Sequence, residues 1–143
     1  MYISGTALTA ERLRMDVISN NIANSQTTRT EDGGAYRRKQ VVFQAQEQQG
    51  LPISRFKRHV DLASQHGLSG VRVRRIIENE NDMVRTHDPD HPDADVEGFV
   101  EYPNVDITTE MVDLMAASKA YQANITVIQT SKSMAQAALQ IGR

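Results

Sequence analysis

Apolar positions recur along the last third of the chain in steps of four and three, at Ile107, Met111, Leu114, Ser118, Tyr121, Ile125, Ile128, Lys132, Ala135 and Leu139. Eight of these ten are apolar, the pattern of a heptad seam that docks against another helix. An unbroken helix is predicted from Ile107 to Ile141, with Asp106 as N-cap, Glu110 complementing the first turn's dipole and Gly142 as the stop. At 1.5 Å per residue it would be about 52 Å long, whereas a domain of this size is on the order of 30 Å across. Such a helix overhangs anything the chain can fold around it, so much of its seam is expected to need a partner molecule.

A shorter counterpart lies at the other end. Leu8, Met15 and Ile22 repeat every seven residues, with Ile18 between them and Leu13 and Val17 beside the stripe. This predicts an amphipathic helix that begins near Ser4 or Thr6 and ends in Asn20-Asn21-Ile22-Ala23-Asn24, since Asn competes for backbone hydrogen bonds and favours helix ends. About 20 residues with three Asn in the last turn are marginal alone in water, so this helix needs the long one or another subunit.

Between the helices the period changes. Gln26 to Ala35 is predicted as loop, Gln40 to Ala45 and Val71 to Arg74 as strands, and Ile76 to Arg85 and Gly98 to Val100 as further strand candidates. Asp88 to Pro103, with three prolines and six acids, is predicted as loop around that last candidate. The expected class is α+β: paired terminal helices, residues 1–25 with 106–143, forming a coiled-coil-like inner domain around a small irregular β-rich insert, residues 26–105.

Composition sharpens the expectation of assembly. Leu, Ile, Val and Phe are 32 of 143 residues, there is no Trp, and the aromatics number seven. That is barely enough for an independent core, and much of it sits in the terminal helices, so stability is expected to come largely from neighbours. The absence of Cys excludes disulfides, thiolate metal sites and a thiol nucleophile. The opening residues have neither the basic start nor the apolar core of a secretory leader, so an uncleaved chain is expected. No stretch approaches the roughly 18 apolar residues of a spanning helix.

A net charge of −2 conceals segregation. Residues 29–80 carry ten Lys/Arg against six acids, and residues 81–113 carry ten acids against Arg85 alone. Positive surface could therefore stack on negative surface of another copy, unless folding interleaves the two.

Candidate chemistry is weak. His87-Asp88-Pro89-Asp90-His91-Pro92-Asp93-Ala94-Asp95 has metal-ligating side chains, but Pro89 and Pro92 preclude a helix bringing the two His together, and a solvated turn explains the stretch better. A metal-dependent enzyme using His87 and His91 would have to rest on that stretch. Arg37-Arg38-Lys39, Arg55-Phe56-Lys57-Arg58 and Arg72-Val73-Arg74-Arg75 suggest a nucleic-acid-binding module as the alternative function, with Phe56 available for stacking. Solvated strand faces account for them better, given the acidic total, the single interleaved aromatic and the missing nucleic-acid-binding motif. Ser69, between Gly67-Leu68 and Gly70, lacks the spacing of a nucleophile elbow, Gly33-Gly34 is no phosphate loop, and His59 and His66 lack an evident carboxylate partner. Arg12 and Arg14 are offset by Glu11 and Asp16, which favours a partner helix over a membrane surface. The expectation is no enzyme, no cofactor, no metal, no nucleic acid, no small-molecule substrate and no membrane insertion. The assembly interface is expected at Leu8, Met15, Ile18, Ile22, Ile107, Met111, Leu114, Tyr121, Ile125, Ile128, Ala135 and Leu139.

Ala7-Leu8-Thr9-Ala10-Glu11-Arg12-Leu13-Arg14-Met15-Asp16-Val17-Ile18-Ser19-Asn20-Asn21-Ile22-Ala23-Asn24 resembles the N-terminal signature of the bacterial flagellar rod and hook axial proteins. Thr27 to Arg38 narrows the resemblance to proximal-rod members of that family. The stretch His91 to Val100, continuing through Tyr102-Pro103-Asn104-Val105, is similar to the family's central signature. Glu110 to Leu114 and Ala120 to Asn124 are similar to its C-terminal helix. Residues 40–90 match loosely, the motif starts a few residues early, and Ala35 stands where many relatives have Pro. The resemblance implies a structural subunit of the axial rod, exported through the flagellar type III channel without a cleaved signal. The implied partners are copies of itself, other rod proteins, and the adaptor joining rod to membrane ring and export gate. It further implies an inner tube of terminal helices and an outer layer from the insert.

Overall fold

In the computed structural model, which describes residues 2–31, 33–46, 69–79 and 83–141, the element order is α1 (Tyr2–Ala23), β1 (Lys39–Gln46), β2 (Gly70–Glu78), β3 (Val84–His87), β4 (Phe99–Tyr102) and α2 (Ile107–Ile141). The α+β class holds: the terminal helices pack together, with two small sheets between them in sequence.

Helix α2 runs the full 35 residues its periodicity predicts. Asp106 caps it as expected, accepting from the Thr108 amide at 3.0 Å and the Thr109 hydroxyl at 2.7 Å. Those two donors hold the Asp106 carboxyl below its usual range. The capping interaction is therefore complete above the ordinary carboxylate pKa and lost as pH falls through the lower value of the folded state. Far-UV circular dichroism below about pH 4 should show α2 fraying from its start, and Asp106→Asn should abolish that acid dependence.

Helix α1 begins at Tyr2, a turn earlier than the sequence suggests. The early start has a tertiary cause: the Tyr2 hydroxyl bonds Gln46 Oε1 at the end of β1, and Thr6 Oγ1 accepts from the Val71 amide of β2. At its other end the Asn-rich stretch stops the helix, with Asn24 Nδ2 donating to the Asn20 carbonyl and Ser25 Oγ to the Ile22 carbonyl.

The two helices run antiparallel, because Asn21 near the end of α1 meets Glu110 at the start of α2 and Arg14 reaches Asp113. Ala10 on α1 and Ala117 on α2 are buried, small residues that let helix axes approach closely. At 1.5 Å per residue α1 is about 33 Å long and α2 about 52 Å, so the last turns of α2 run past the start of α1. Residues 132–140 are all exposed, consistent with that overhang.

Strands β1 and β2 pair antiparallel and lie against α1. Ile76 and Ile77, expected to begin a separate strand, belong to β2. The ladder shifts between Val42 and Phe43: Phe43 faces Val73, Val42 faces Arg75, and Arg74 is the extra residue of a bulge. Strands β3 and β4 form a second antiparallel pair, with Val100 fully buried. Strand β4 extends the Gly98–Val100 candidate through the region expected to be loop.

The turn before β4 depends on Gly98, whose φ is +77° and whose added Cβ would stand 3.2 Å from His87 Nε2 and 3.3 Å from Pro89 Cβ. Gly98→Ala should lower unfolding free energy by about 1–2 kcal/mol, measurable by urea denaturation.

Candidate functional site: a buried polar latch and an unpartnered helix face

The most enclosed polar cluster joins α1, β1 and α2. Asn21 and Glu110 are each only 1% exposed, and they are bonded to one another, Asn21 Nδ2 donating to Glu110 Oε2 at 3.0 Å. The same amide nitrogen donates to the Lys39 carbonyl at 2.8 Å, and Asn21 Oδ1 accepts from the Lys39 amide at 2.9 Å and the Tyr36 hydroxyl at 3.0 Å. Asn21 thus uses both donors and both acceptor positions, docking like a strand residue onto the start of β1. The other Glu110 oxygen accepts from Arg38 Nε at 2.6 Å and also contacts Arg38 Nη2. Arg38 further lies 3.9 Å from Asp113, which Arg14 approaches to 3.6 Å. The Tyr36 phenol is held above its ordinary pKa, first by burial and then by the Glu78 and Glu110 carboxylates. It stays a neutral hydroxyl and bonds Asn20 Oδ1 at 2.8 Å as well.

Beside this latch is a cleft of about 270 Å³ whose walls include Val17, Ile18, Val41 and Phe43. Its cations are already engaged: Arg14 and Arg38 with acids of α2, and Lys39 with Glu78. The constellation is suited to fastening helices and contains no nucleophile paired with a base.

Sequence reasoning missed the latch. The sequence pattern alone points Asn21 to a helix end, Glu110 to the helix dipole and Arg38 to a solvated strand face; Arg38 is instead mostly enclosed by its pair with Glu110. Glu110 carries only a local signal in the sequence, an acid in the first turn Ile107-Thr108-Thr109-Glu110, which the helix dipole already explains.

Of the residues expected at an assembly interface, Ile18 is buried, while Leu8, Met15, Ile22, Leu114, Tyr121, Ile125 and Ile128 are half-buried. Ile107, Met111, Ala135 and Leu139 are exposed. The face that α2 turns inward centres on Glu110, Leu114, Ala117 and Tyr121, rotated from the apolar seam at its start, because the Glu110 latch sets its orientation. Met111, Val112, Met115, Val127, Met134 and Leu139 consequently lie exposed, each more than half accessible.

The other sequence candidates disperse. His87 packs edge-on against Phe99 and His91 against Tyr102, and His91 Nδ1 accepts from the Asp93 amide within successive turns. Among the described residues no three His, Asp or Glu side chains converge on a possible metal position, and no helix is long and apolar enough to cross a membrane. Arg37, Arg72, Arg74 and Arg75 are exposed, and Ser69 precedes β2. Arg55, Phe56, Lys57, Arg58, His59, His66 and Gly142 lie outside the described residues.

Residues 1–29 match the family model for flagella basal body rod protein, and residues 96–141 match that for the C-terminal region of flagellar basal body rod FlgEFG proteins. These two segments contain α1 and α2. Over nearly its full length the chain is 46% identical to the flagellar basal-body rod protein FlgC of Borreliella burgdorferi, covering 97% of this chain and 93% of that one. The chain belongs to the FlgC family of flagellar basal-body rod proteins. FlgC of Bacillus subtilis is 41% identical, with 100% of this chain and 96% of that one covered, and FlgC of Salmonella typhimurium is 40% identical, with 99% and 94% covered. As a member of the FlgC family it is a non-enzymatic structural subunit of the basal-body rod, and its latch is part of that subunit's architecture.

Proposed function

We propose that this FlgC-family subunit builds the proximal part of the rod by packing its terminal helices against those of neighbouring subunits. One observation carries the reading: α2 extends past α1 with residues 132–140 exposed, leaving Met134 and Leu139 uncovered in the single chain. In a rod these side chains are covered by adjacent helices, and the burial stabilises the ordered subunit by mass action. Residues 1–25 and 106–143 form the inner tube, and residues 26–105 the outer layer. The neighbours are copies of this chain, other rod proteins, and the adaptor at the membrane ring and export gate. The chain reaches the rod through the flagellar export channel. Torque then passes toward the hook through side-chain packing distributed along the tube, with no chemical step.

Deleting the gene in its own host should leave basal bodies without a completed rod and abolish swimming. Re-expression of the full chain should restore both, with the chain recovered in purified basal bodies. Normal rods and swimming in the deletion strain would overturn the reading.

A further inference from the structure

Two surface elements remain unengaged by the latch and by the helix overhang. The first is the bulged stretch of β2. The extra residue there turns Arg74 and Arg75 outward in succession, and Ile76 next to them is 45% exposed. Neither arginine makes an ion pair among the described residues, unlike Arg14, Arg29, Arg38 and Arg85. Strand β2 belongs to a two-stranded sheet, so among the described residues its side away from β1 has no strand partner. The second element is the turn before β4. Val96 at its tip is fully exposed, flanked by the exposed Asp95 and Glu97.

That tip is firmly held. The Asp95 amide donates to the Phe99 carbonyl at 2.9 Å, the Gly98 amide to the Asp95 carbonyl at 2.8 Å, and the Val96 amide to Asp95 Oδ1 at 2.7 Å. An apolar side chain displayed without cover on an ordered turn, between two carboxylates, has the form of a docking element. The sequence Asp95-Val96-Glu97 complements Arg74-Arg75-Ile76 in both respects, carboxylates for guanidinium groups and an apolar residue for an apolar residue. No ion pair joins them within one chain among the described residues.

Resting on the assembly reading, we propose that the Asp95–Glu97 turn of one copy docks on the bulged β2 face of a second copy. Charge complementarity identifies the occupant. Among the described residues Arg74 and Arg75 on the strand, and Asp95 and Glu97 on the turn, make no ion pair and lie at separate places, so identical subunits can join head to tail through them, as repeating assemblies require. Arginine pairs with carboxylates in a fixed fork, which sets orientation as well as attraction. The contact lies outside the terminal helices and would fix the angle between neighbours already joined along the tube.

Because the natural chain has no Cys, the test is direct. Full-length Arg75→Cys/Glu97→Cys is expressed in the deletion strain, and basal bodies are isolated and oxidised. Mass spectrometry should find a disulfide between residues 75 and 97 of different copies, absent from each single variant. Arg74→Glu/Arg75→Glu should lower incorporation at least about tenfold, and adding Asp95→Arg/Glu97→Arg should restore it. Rods that contain the doubly substituted chain yet form no such disulfide, and that tolerate the charge reversal, would overturn this contact while leaving the assembly reading intact. Failure of the unaltered chain to enter rods would overturn both. A link to a different rod protein, or binding to a labelled oligonucleotide that Arg74→Glu/Arg75→Glu abolishes, would assign the basic face to another occupant and overturn it too.

Discussion

Met134→Asp combined with Leu139→Asp removes the subunit from rods while leaving the unfolding free energy of the isolated chain within about 0.5 kcal/mol of the natural protein. Both residues are exposed in the single chain, at 69% and 76%, so a carboxylate there stays solvated and costs the monomer little. In the packing we propose for the rod, the same positions would face apolar neighbours, where each unpaired carboxylate costs several kcal/mol per subunit. Swimming is lost, and the chain is absent from purified basal bodies although present in the cell. Urea denaturation of the purified variant supplies the control. Ile125→Asp and Ile128→Asp should also abolish incorporation, but those side chains are half-buried, so their effect mixes folding with assembly. Normal rods from the Met134/Leu139 variant would show that the overhanging turns of α2 are not an interface.

The second large effect lies in the latch. Glu110→Ala should lower stability by about 3 kcal/mol, because it removes the closest acid from the half-buried Arg38 guanidinium and leaves one donor of the buried Asn21 without an acceptor. For a chain of this length that corresponds to a fall in Tm of roughly 10 °C. Glu110→Gln keeps the shape and an acceptor for Arg38, so its cost should be smaller, about 1–2 kcal/mol. Arg38→Met/Glu110→Leu removes both charges together and should be less damaging than Glu110→Ala alone. Urea unfolding followed by circular dichroism orders the three variants. A Glu110→Ala protein as stable as the natural chain would mean that the cluster fastens nothing.

Helix α2 was legible in the sequence to its first residue, because its signals are local: a cap at Asp106 and a long 3.6-residue period. The strands were legible in position from their β-branched runs. What escaped depended on partners distant in sequence. The first turn of α1 is fixed by Tyr2 and Thr6 reaching β1 and β2. Asn21 carries a local signal for helix termination that conceals its four tertiary bonds. The segregated charges proved only partly segregated in space: Arg29–Asp93, Arg38–Glu110 and Arg14–Asp113 join the N-terminal half to the acidic segment. The bulge that turns Arg74 and Arg75 outward is a matter of register, which alternation alone does not reveal. The family signatures were legible because they lie mainly at the two ends, which the family models also match.

The Asn21–Glu110 bond closes a loop of 89 residues. Closing a loop of that length costs about 4 kcal/mol of chain entropy before any contact repays it. A chain emerging N-terminus first cannot make this bond until more than three-quarters of it has appeared. During that interval α1 has no α2 to pack on, and alone, with its Asn-rich end, it is only marginal in water. Long separation between the two halves of the latch therefore acts as a timer: a chain that emerges N-terminus first stays unlocked until Glu110 has appeared.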